Sequence, residues 1–192
     1  MNKRKKILCI AAVILCLALL AGNSYANLIK TGTARNVITS SGVRVAVVEQ
    51  HVVGGVKVDY NGEAVPLMPG YTISRIARAR CLEEPSWIRM SYDIEVYDES
   101  GKKLNIPAEE LARVVLINVD NPEWTLKDGW WYYSDSLNAG QTTTELFESV
   151  TFSASEMDDK YQSCTMKILV KAQAVQLKYN GTTVWEAVGW PE

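Results

Sequence analysis

Alternation of apolar and polar residues in segment 88–97 is the feature that most constrains the fold. The even positions are apolar and the odd positions are mostly polar, as in Ile88-Arg89-Met90-Ser91-Tyr92-Asp93-Ile94-Glu95-Val96. Successive side chains of a strand point to opposite faces of its sheet, so this period predicts a strand with one buried and one solvated face. Segments 43–53, 73–79 and 165–174 are further predicted strands.

Turn dipeptides separate these predicted strands. They are Asn61-Gly62, Pro69-Gly70, Ser100-Gly101, Asp128-Gly129 and Asn180-Gly181. Asn-Gly and Asp-Gly favour tight hairpins, so we expect mostly antiparallel strands. Only residues 107–113 and 155–158 have helix-start signals, and both stretches are too short for a βαβ crossover. The sequence therefore predicts an all-β fold, an antiparallel two-sheet sandwich of jelly-roll or immunoglobulin type with one or two short helices.

Residues 1–26 have the composition of a secretory signal peptide. A basic start is followed by an apolar run that ends at Gly22, and Ser24 and Ala26 are the small residues that precede a cleavage site. We predict cleavage between Ala26 and Asn27 and secretion of the mature chain. The alternative is a membrane anchor, but the apolar run is shorter than the roughly 20 residues of a spanning helix. Contact with a membrane is therefore expected only through the uncleaved signal segment.

The predicted mature chain, residues 27–192, is long enough for one domain and too short for two. We predict a single β-sandwich domain, with an extended N-terminal segment at 27–42 as an option. The four charges of the signal region are all positive, so 16 basic and 22 acidic residues remain. Because an acidic chain without a basic stripe is a poor match for nucleic acid, we expect no nucleic-acid partner.

Two cysteines remain after the predicted cleavage, Cys81 and Cys164. In an oxidising exterior they could form a disulfide, which would close a long loop and contribute roughly 4–5 kcal/mol in the chain-entropy model. Sequence spacing does not reveal whether the two side chains meet. The sequence therefore leaves a disulfide and two free thiols as alternatives.

Recognisable catalytic and zinc-binding motifs are absent from the sequence. The chain has one histidine, His51, and therefore lacks the paired ligands of a zinc helix. No Gly-x-Ser-x-Gly elbow surrounds a serine. Glu156, Asp158 and Asp159 offer hard oxygens for Ca²⁺, but without the spacing of a dedicated calcium loop. We predict no catalytic residue, no metal site and no cofactor, with calcium as an alternative at this acidic cluster.

Four aromatic residues, Trp130-Trp131-Tyr132-Tyr133, follow the turn Asp128-Gly129. In a strand, Trp130 and Tyr132 point one way and Trp131 and Tyr133 the other, so only one pair can face the core. We expect the chain's own loops to cover the other pair. The alternative is an exposed pair that acts as an association face or a sugar-binding platform, since these side chains give large amphipathic contact areas.

Several segments together resemble one family of exported proteins. They are Gly22-Asn23-Ser24-Tyr25-Ala26, Asn36 through Val43, Met68-Pro69-Gly70-Tyr71-Thr72-Ile73-Ser74, Trp87-Ile88-Arg89, Trp124 through Phe152, and Ala172-Gln173-Ala174-Val175-Gln176. In this order they resemble the Gram-positive proteins typified by TasA, the biofilm fibre protein, and by camelysin. These proteins are released by a dedicated signal peptidase of the SipW type.

The resemblance implies a jelly-roll-like sandwich in the extracellular matrix or at the cell surface. Its partners would be further copies of itself or related matrix proteins, together with the signal peptidase during export. Fibres of this family form when the N-terminal segment of one subunit adds a strand to the next, and Leu28, Ile29, Val37 and Ile38 are the candidate donor residues. We therefore expect a non-enzymatic biofilm-matrix or surface protein. The alternatives are a camelysin-like metallopeptidase and a carbohydrate-binding module that uses the Trp130–Tyr133 strand.

Overall fold

The computed structural model of the chain describes residues 38–40 and 43–191. The strands, in chain order, are β1 (Ile38–Ser40), β2 (Val43–Val53), β3 (Val56–Asp59), β4 (Val65–Pro66), β5 (Thr72–Cys81), β6 (Ser86–Tyr97), β7 (Val115–Ile117), β8 (Trp124–Lys127), β9 (Trp130–Tyr133), β10 (Phe147–Phe152) and β11 (Thr165–Gln176). One α-helix, α1 (Ala108–Val114), precedes β7, and a 3-10 helix (Asp159–Tyr161) precedes β11.

The described strands form two sheets in which every pair is antiparallel. The first sheet has the order β1-β2-β5-β10-β7, with β3 also paired to β2. The second sheet has the order β4-β11-β6-β9-β8. The predicted all-β, antiparallel two-sheet sandwich is confirmed.

Strands β6 and β11 are neighbours in the second sheet and are its longest strands. They pair along their whole lengths, from Ser86 opposite Gln176 to Tyr97 opposite Thr165. The alternation that predicted β6 is visible in its burial, because Ile88 and Met90 are fully buried while Asp93 is exposed. Long, continuous pairing of this kind gives the second sheet a fixed register, since a one-residue slip would turn every apolar side chain to the wrong face.

The main core lies between the two sheets. Its members are apolar side chains on the facing sides of the strands, among them Val45, Ala77, Ala79, Ile88, Met90, Val150, Phe152, Met166, Val170 and Ala172. Each fully buried Val, Ile, Met or Phe contributes about 1.5–3 kcal/mol through removal of apolar surface from water. Burial of this common face is what holds the sheets together.

The two helical predictions have different outcomes. Helix α1 forms within the predicted stretch 107–113 and continues for one further residue. At 155–158 no helix forms; instead a 3-10 helix begins at Asp159, and the side chain of Asp158 accepts a hydrogen bond from the backbone N–H of Lys160. Among the described residues, no helix has the length and apolar character that a membrane span requires.

Candidate functional site

The aromatic strand β9 has both of its faces covered by the chain itself. Trp131 and Tyr133 face the main core, and the Tyr133 ring lies 5.0 Å from the ring of Trp124. Trp130 and Tyr132 point to the outer face of the second sheet and belong to a separate apolar cluster. The expected division of the four rings into two faces is therefore what the structure shows.

The C-terminal segment 177–191 covers this outer face. The rings of Trp185 and Trp190 lie 5.3 and 5.6 Å from the ring of Tyr132. Val184 and Ala187 are buried in the same cluster, beside residues of β6 and β11. The expectation that the chain's own loops cover the second aromatic pair is confirmed. Trp185 itself remains 48% exposed, so the cover has one aromatic side chain at its surface.

Arg89 joins the cover to the sheet. Its guanidinium carbon lies 4.4 Å from the ring centre of Trp130 and 4.7 Å from that of Trp190. Its N–H groups donate to Gln173 Oε1 at 2.8 Å, to the Tyr132 hydroxyl at 2.9 Å and to the Pro191 carbonyl at 3.1 Å. Contact with two aromatic faces and three acceptors satisfies this partly buried cation, so Arg89 stabilises the packing of the C-terminal segment.

The two cysteines do not form a disulfide. Both are free and buried. Cys81 Sγ lies 3.8 Å from Ser86 Oγ, and Ser86 pairs with Gln176 at the end of β11, whereas Cys164 directly precedes its start. A strand of twelve residues is roughly 35–40 Å long, and the two cysteines lie near its opposite ends, far beyond the reach of a disulfide. Of the two alternatives that the sequence left open, the structure has the free thiols.

The remaining ionisable candidates each have contacts of their own. The ring of His51 meets the ring of Tyr60 edge-on at 5.4 Å. Glu156 pairs with Arg113 at 3.3 Å, and Asp158 pairs with Lys160 at 3.5 Å. Within the described ranges, no group of three His, Cys, Asp or Glu side chains is placed to hold a metal ion.

The predicted cleavage site and most of the candidate donor segment lie outside the described residues. This applies to Ala26, Asn27, Leu28, Ile29 and Val37. Ile38 is described, and it lies in β1, where it is paired with Val45 of β2.

A charged cluster connects β2 and β5. Arg75 is 4% exposed, and its Nη2 donates to Glu49 Oε1 at 2.6 Å. The ring of Tyr60 covers the guanidinium, with 3.3 Å between its centre and the guanidinium carbon. Burial raises the pKa of Glu49, and the charge of Arg75 partly offsets that rise. Breaking this pair would leave a buried charge without its counter-ion, so we interpret it as part of the fold.

An open groove lies where the two sheets separate, and sequence reasoning did not identify it. It has a volume of about 610 Å³. Its lining is mostly apolar and comes from β6, α1, β7 and the residues beside them: Tyr92, Asp93, Ile94, Ile106, Ala108, Leu111, Ala112, Val115, Leu116, Ile117 and Asn118. The groove is therefore the open side of the sandwich core.

The β6 side of the groove is an unpaired strand edge. Strand β9 pairs with β6 only at Arg89 and Met90. Farther along the same edge, the backbone N–H of Leu104 donates to the carbonyl of Val96 at 2.8 Å. Peptide groups of an antiparallel strand alternate between its two sides, so the N–H and C=O groups of Tyr92 and Ile94 point into the groove. Among the described residues, none pairs with these groups.

The β7 side is a second unpaired edge. Strand β7 pairs with β10 on one side, and the carbonyl of Val114 accepts from the N–H of Ser153 on that same side. By the same alternation, Val115 and Ile117 direct their peptide groups away from β10 and into the groove. The N–H of Val115 donates to the carbonyl of Leu111 at the end of α1. For the carbonyl of Val115 and both groups of Ile117, the described part of the chain supplies no partner.

Helix α1 forms one wall of the groove and is held by charged side chains. The Nζ of Lys160 lies 2.5 Å from Glu110 Oε1, and the hydroxyl of Tyr161 donates to the same oxygen. These two hydrogen bonds lower the pKa of Glu110. Arg113 of the same helix forms a 3.3 Å ion pair with Glu156. These contacts connect α1 to the loop that precedes β11, so the wall is positioned by residues distant in sequence.

Comparison of the chain with protein-family models, with curated proteins and with solved structures gives no match.

Proposed function

We propose that this chain is an exported, non-enzymatic protein of the cell surface or the biofilm matrix, which assembles by adding a strand from one copy into the groove of the next. The observation that carries the proposal is the pair of unpaired edges at Tyr92–Ile94 and Val115–Ile117. An unpaired strand edge presents free N–H and C=O groups to another chain, and an added strand would satisfy those on one edge or both. Strand addition is a common way for a sheet edge to recognise an extended peptide.

The floor of the groove suits an inserted strand as well as its edges do. Tyr92, Ile94, Leu111 and Ile117 are partly buried and pack against the main core. Alternate apolar side chains of an inserted strand would complete this core, because successive side chains point to opposite faces. Main-chain hydrogen bonds would then give affinity, and the apolar floor would give specificity.

The segment that precedes β1 is the occupant we propose. After cleavage behind Ala26 the chain begins at Asn27, so eleven residues precede Ile38. Fully extended, eleven residues span about 36 Å, more than the groove edges require. The segment contains the apolar residues Leu28 and Ile29, one of which would face the groove floor because successive side chains of a strand point to opposite faces.

Export and partners follow from the same proposal. The signal-like residues 1–26 and the resemblance to TasA and camelysin support secretion through a dedicated signal peptidase. Related matrix proteins that offer a similar extended segment would be further partners. The carbohydrate-binding alternative has less support, because the C-terminal segment covers Trp130 and Tyr132.

A charge placed on the groove wall tests the proposal. Ala112 lines the groove from an exposed position on α1, and Glu is a good helix former, so Ala112→Glu should leave the fold intact. We expect filaments from the chain that begins at Asn27 in electron micrographs, and a strong loss of filaments in Ala112→Glu because a carboxylate would be desolvated by the inserted strand.

The matched control is Ala139→Glu, which adds the same charge in an exposed loop remote from the groove lining. It should assemble like the parent chain. Deletion of residues 27–34 should abolish assembly while the thermal unfolding transition is kept. Absence of filaments from the parent chain at high concentration, or equal assembly by Ala112→Glu and Ala139→Glu, would contradict the proposal.

A further inference from the structure

The hydroxyl of Tyr92 differs from those of the other buried or partly buried tyrosines in the described structure. The hydroxyls of Tyr60, Tyr97, Tyr132, Tyr133 and Tyr161 all have hydrogen-bond partners. No described residue hydrogen-bonds to the hydroxyl of Tyr92, although its side chain is half-buried and its ring packs edge-on against Phe147 at 5.5 Å. Burial also raises the pKa of Tyr92.

Tyr92 lines the groove among mostly apolar residues, and Asp93 and Asn118 are polar members of the same lining. Ile94, Leu111, Val115 and Ile117 are its neighbours in the lining. A phenol group that is removed from bulk water without a hydrogen-bond partner is unfavourable, so an inserted strand that covers Tyr92 should supply one. Among the lining residues that pack against the main core, Tyr92 has a polar group, and this group can discriminate between inserted sequences.

The sequence before β1 offers a matching face. An extended segment directs Leu28, Lys30 and Gly32 to one side and Ile29, Thr31 and Thr33 to the other. The first side cannot lie against the floor, because it would bury the ammonium group of Lys30 against apolar side chains. The second side combines an apolar residue with two hydroxyl groups.

We propose that the hydroxyl of Tyr92 selects the orientation of the inserted strand, by hydrogen bonding to Thr31 or Thr33 of a second copy whose Ile29–Thr33 face lies on the groove floor. This inference rests on the proposed function, and it adds the residue that sets the register and the face of the donor. Lys30 then points to solvent. A threonine hydroxyl donates and accepts, so it can pair with the phenol in either sense.

The experiment compares critical concentrations for filament formation by sedimentation, with the chain that begins at Asn27. Tyr92→Phe removes only the hydroxyl and keeps the ring contact with Phe147. We expect its critical concentration to rise about 5- to 10-fold, the equivalent of one neutral hydrogen bond. Tyr71→Phe, at a residue that is 59% exposed and outside the groove lining, is the control and should leave the critical concentration unchanged.

The double variant Thr31→Val/Thr33→Val tests the partner. It should raise the critical concentration by a similar factor, and its combination with Tyr92→Phe should raise it no further, because the same hydrogen bond is removed twice. Two outcomes would overturn the inference while the proposed function stands. In the first, the parent chain forms filaments and Tyr92→Phe leaves the critical concentration unchanged. In the second, the effects of Tyr92→Phe and of the threonine double variant on the critical concentration add. A parent chain that never assembles would overturn both.

Discussion

Arg89 shows how one residue can determine whether an aromatic strand is exposed or covered. It lies on the outer face of β6, and its contacts with Trp130, Trp190 and the Pro191 carbonyl connect the sheet to the chain terminus. The cation satisfies aromatic faces and backbone oxygens at the same time, which an apolar side chain of similar length would not do. The outer cluster therefore depends on a charge.

We predict that Arg89→Met lowers the free energy of unfolding by about 2 kcal/mol, through the loss of charge-assisted hydrogen bonds and two cation–π contacts. Chemical denaturation followed by tryptophan fluorescence measures this change, and the emission of the folded variant should shift to the red as Trp130 and Trp190 become wetter. Arg80→Met is the control, because Arg80 is exposed on the first sheet. Equal stability of the two variants would show that Arg89 does not hold the C-terminal segment.

At the scale of the element, helix α1 depends on contacts outside itself. It has seven residues and no side-chain hydrogen bond at its N-cap Pro107, and isolated helices of this length are unstable in water. Val114 is buried, and Glu110 binds Lys160 and Tyr161 across the loop. The groove wall therefore forms because tertiary contacts hold it.

Acid should weaken this wall. The pKa of Glu110 is lowered in the folded chain by its hydrogen bonds to Lys160 and Tyr161. A carboxyl with a lowered folded pKa stabilises the fold above its unfolded value, about 4.3, and this contribution is lost as the pH falls through the folded value. We predict that the parent chain loses more thermal stability between pH 7 and pH 3 than Glu110→Gln does. Parallel pH profiles for the two chains would contradict this assignment.

The sequence allowed prediction of the elements where the period is strict and local. Segment 88–97 alternates, and β6 forms there, because burial of one face repeats every second residue. The alternation of the Trp130 to Tyr133 side chains between the two faces of their strand was predictable for the same reason. The groove was not predictable from the sequence. It depends on which strand edges remain unpaired in the folded chain, and its lining brings together residues that are far apart in sequence, such as Ile94 and Ile117. The cover by Trp185 and Trp190 is equally non-local.

At the scale of the whole molecule, the described fold is held by its sheets, and the two cysteines within it form no disulfide. Cys81 and Cys164 are buried at opposite ends of the sandwich, and burial raises the pKa of the Cys164 thiol. A protonated, buried thiol reacts slowly with alkylating reagents. The redox state of the surroundings should therefore have little influence on this domain.

We predict that a reducing agent leaves the melting temperature of the chain from Asn27 unchanged, and that thiol titration finds almost no reaction in the folded state and two thiols after denaturation. Calorimetry with and without reductant, and a thiol-reactive dye, make the two measurements. A drop of several degrees on reduction would reveal a disulfide, since loss of such a bridge costs about 2–5 kcal/mol. The double variant Cys81→Ser/Cys164→Ser cannot form this disulfide, so it should have the same melting temperature with and without the reducing agent.

The order of strands in the first sheet has a consequence for growth. Strand β1, to which the proposed donor segment is joined, lies at one margin of that sheet, and β7 with its free edge lies at the other. A contact between unlike margins is head to tail, so in a filament successive copies would all point the same way and the two tips would differ. One tip would present an empty groove and the other an unused donor segment. A copy shortened at its N-terminus would then add to the tip that presents the donor segment. A copy with a blocked groove would add to the tip that presents the groove. Each of these copies would therefore terminate growth at one tip alone.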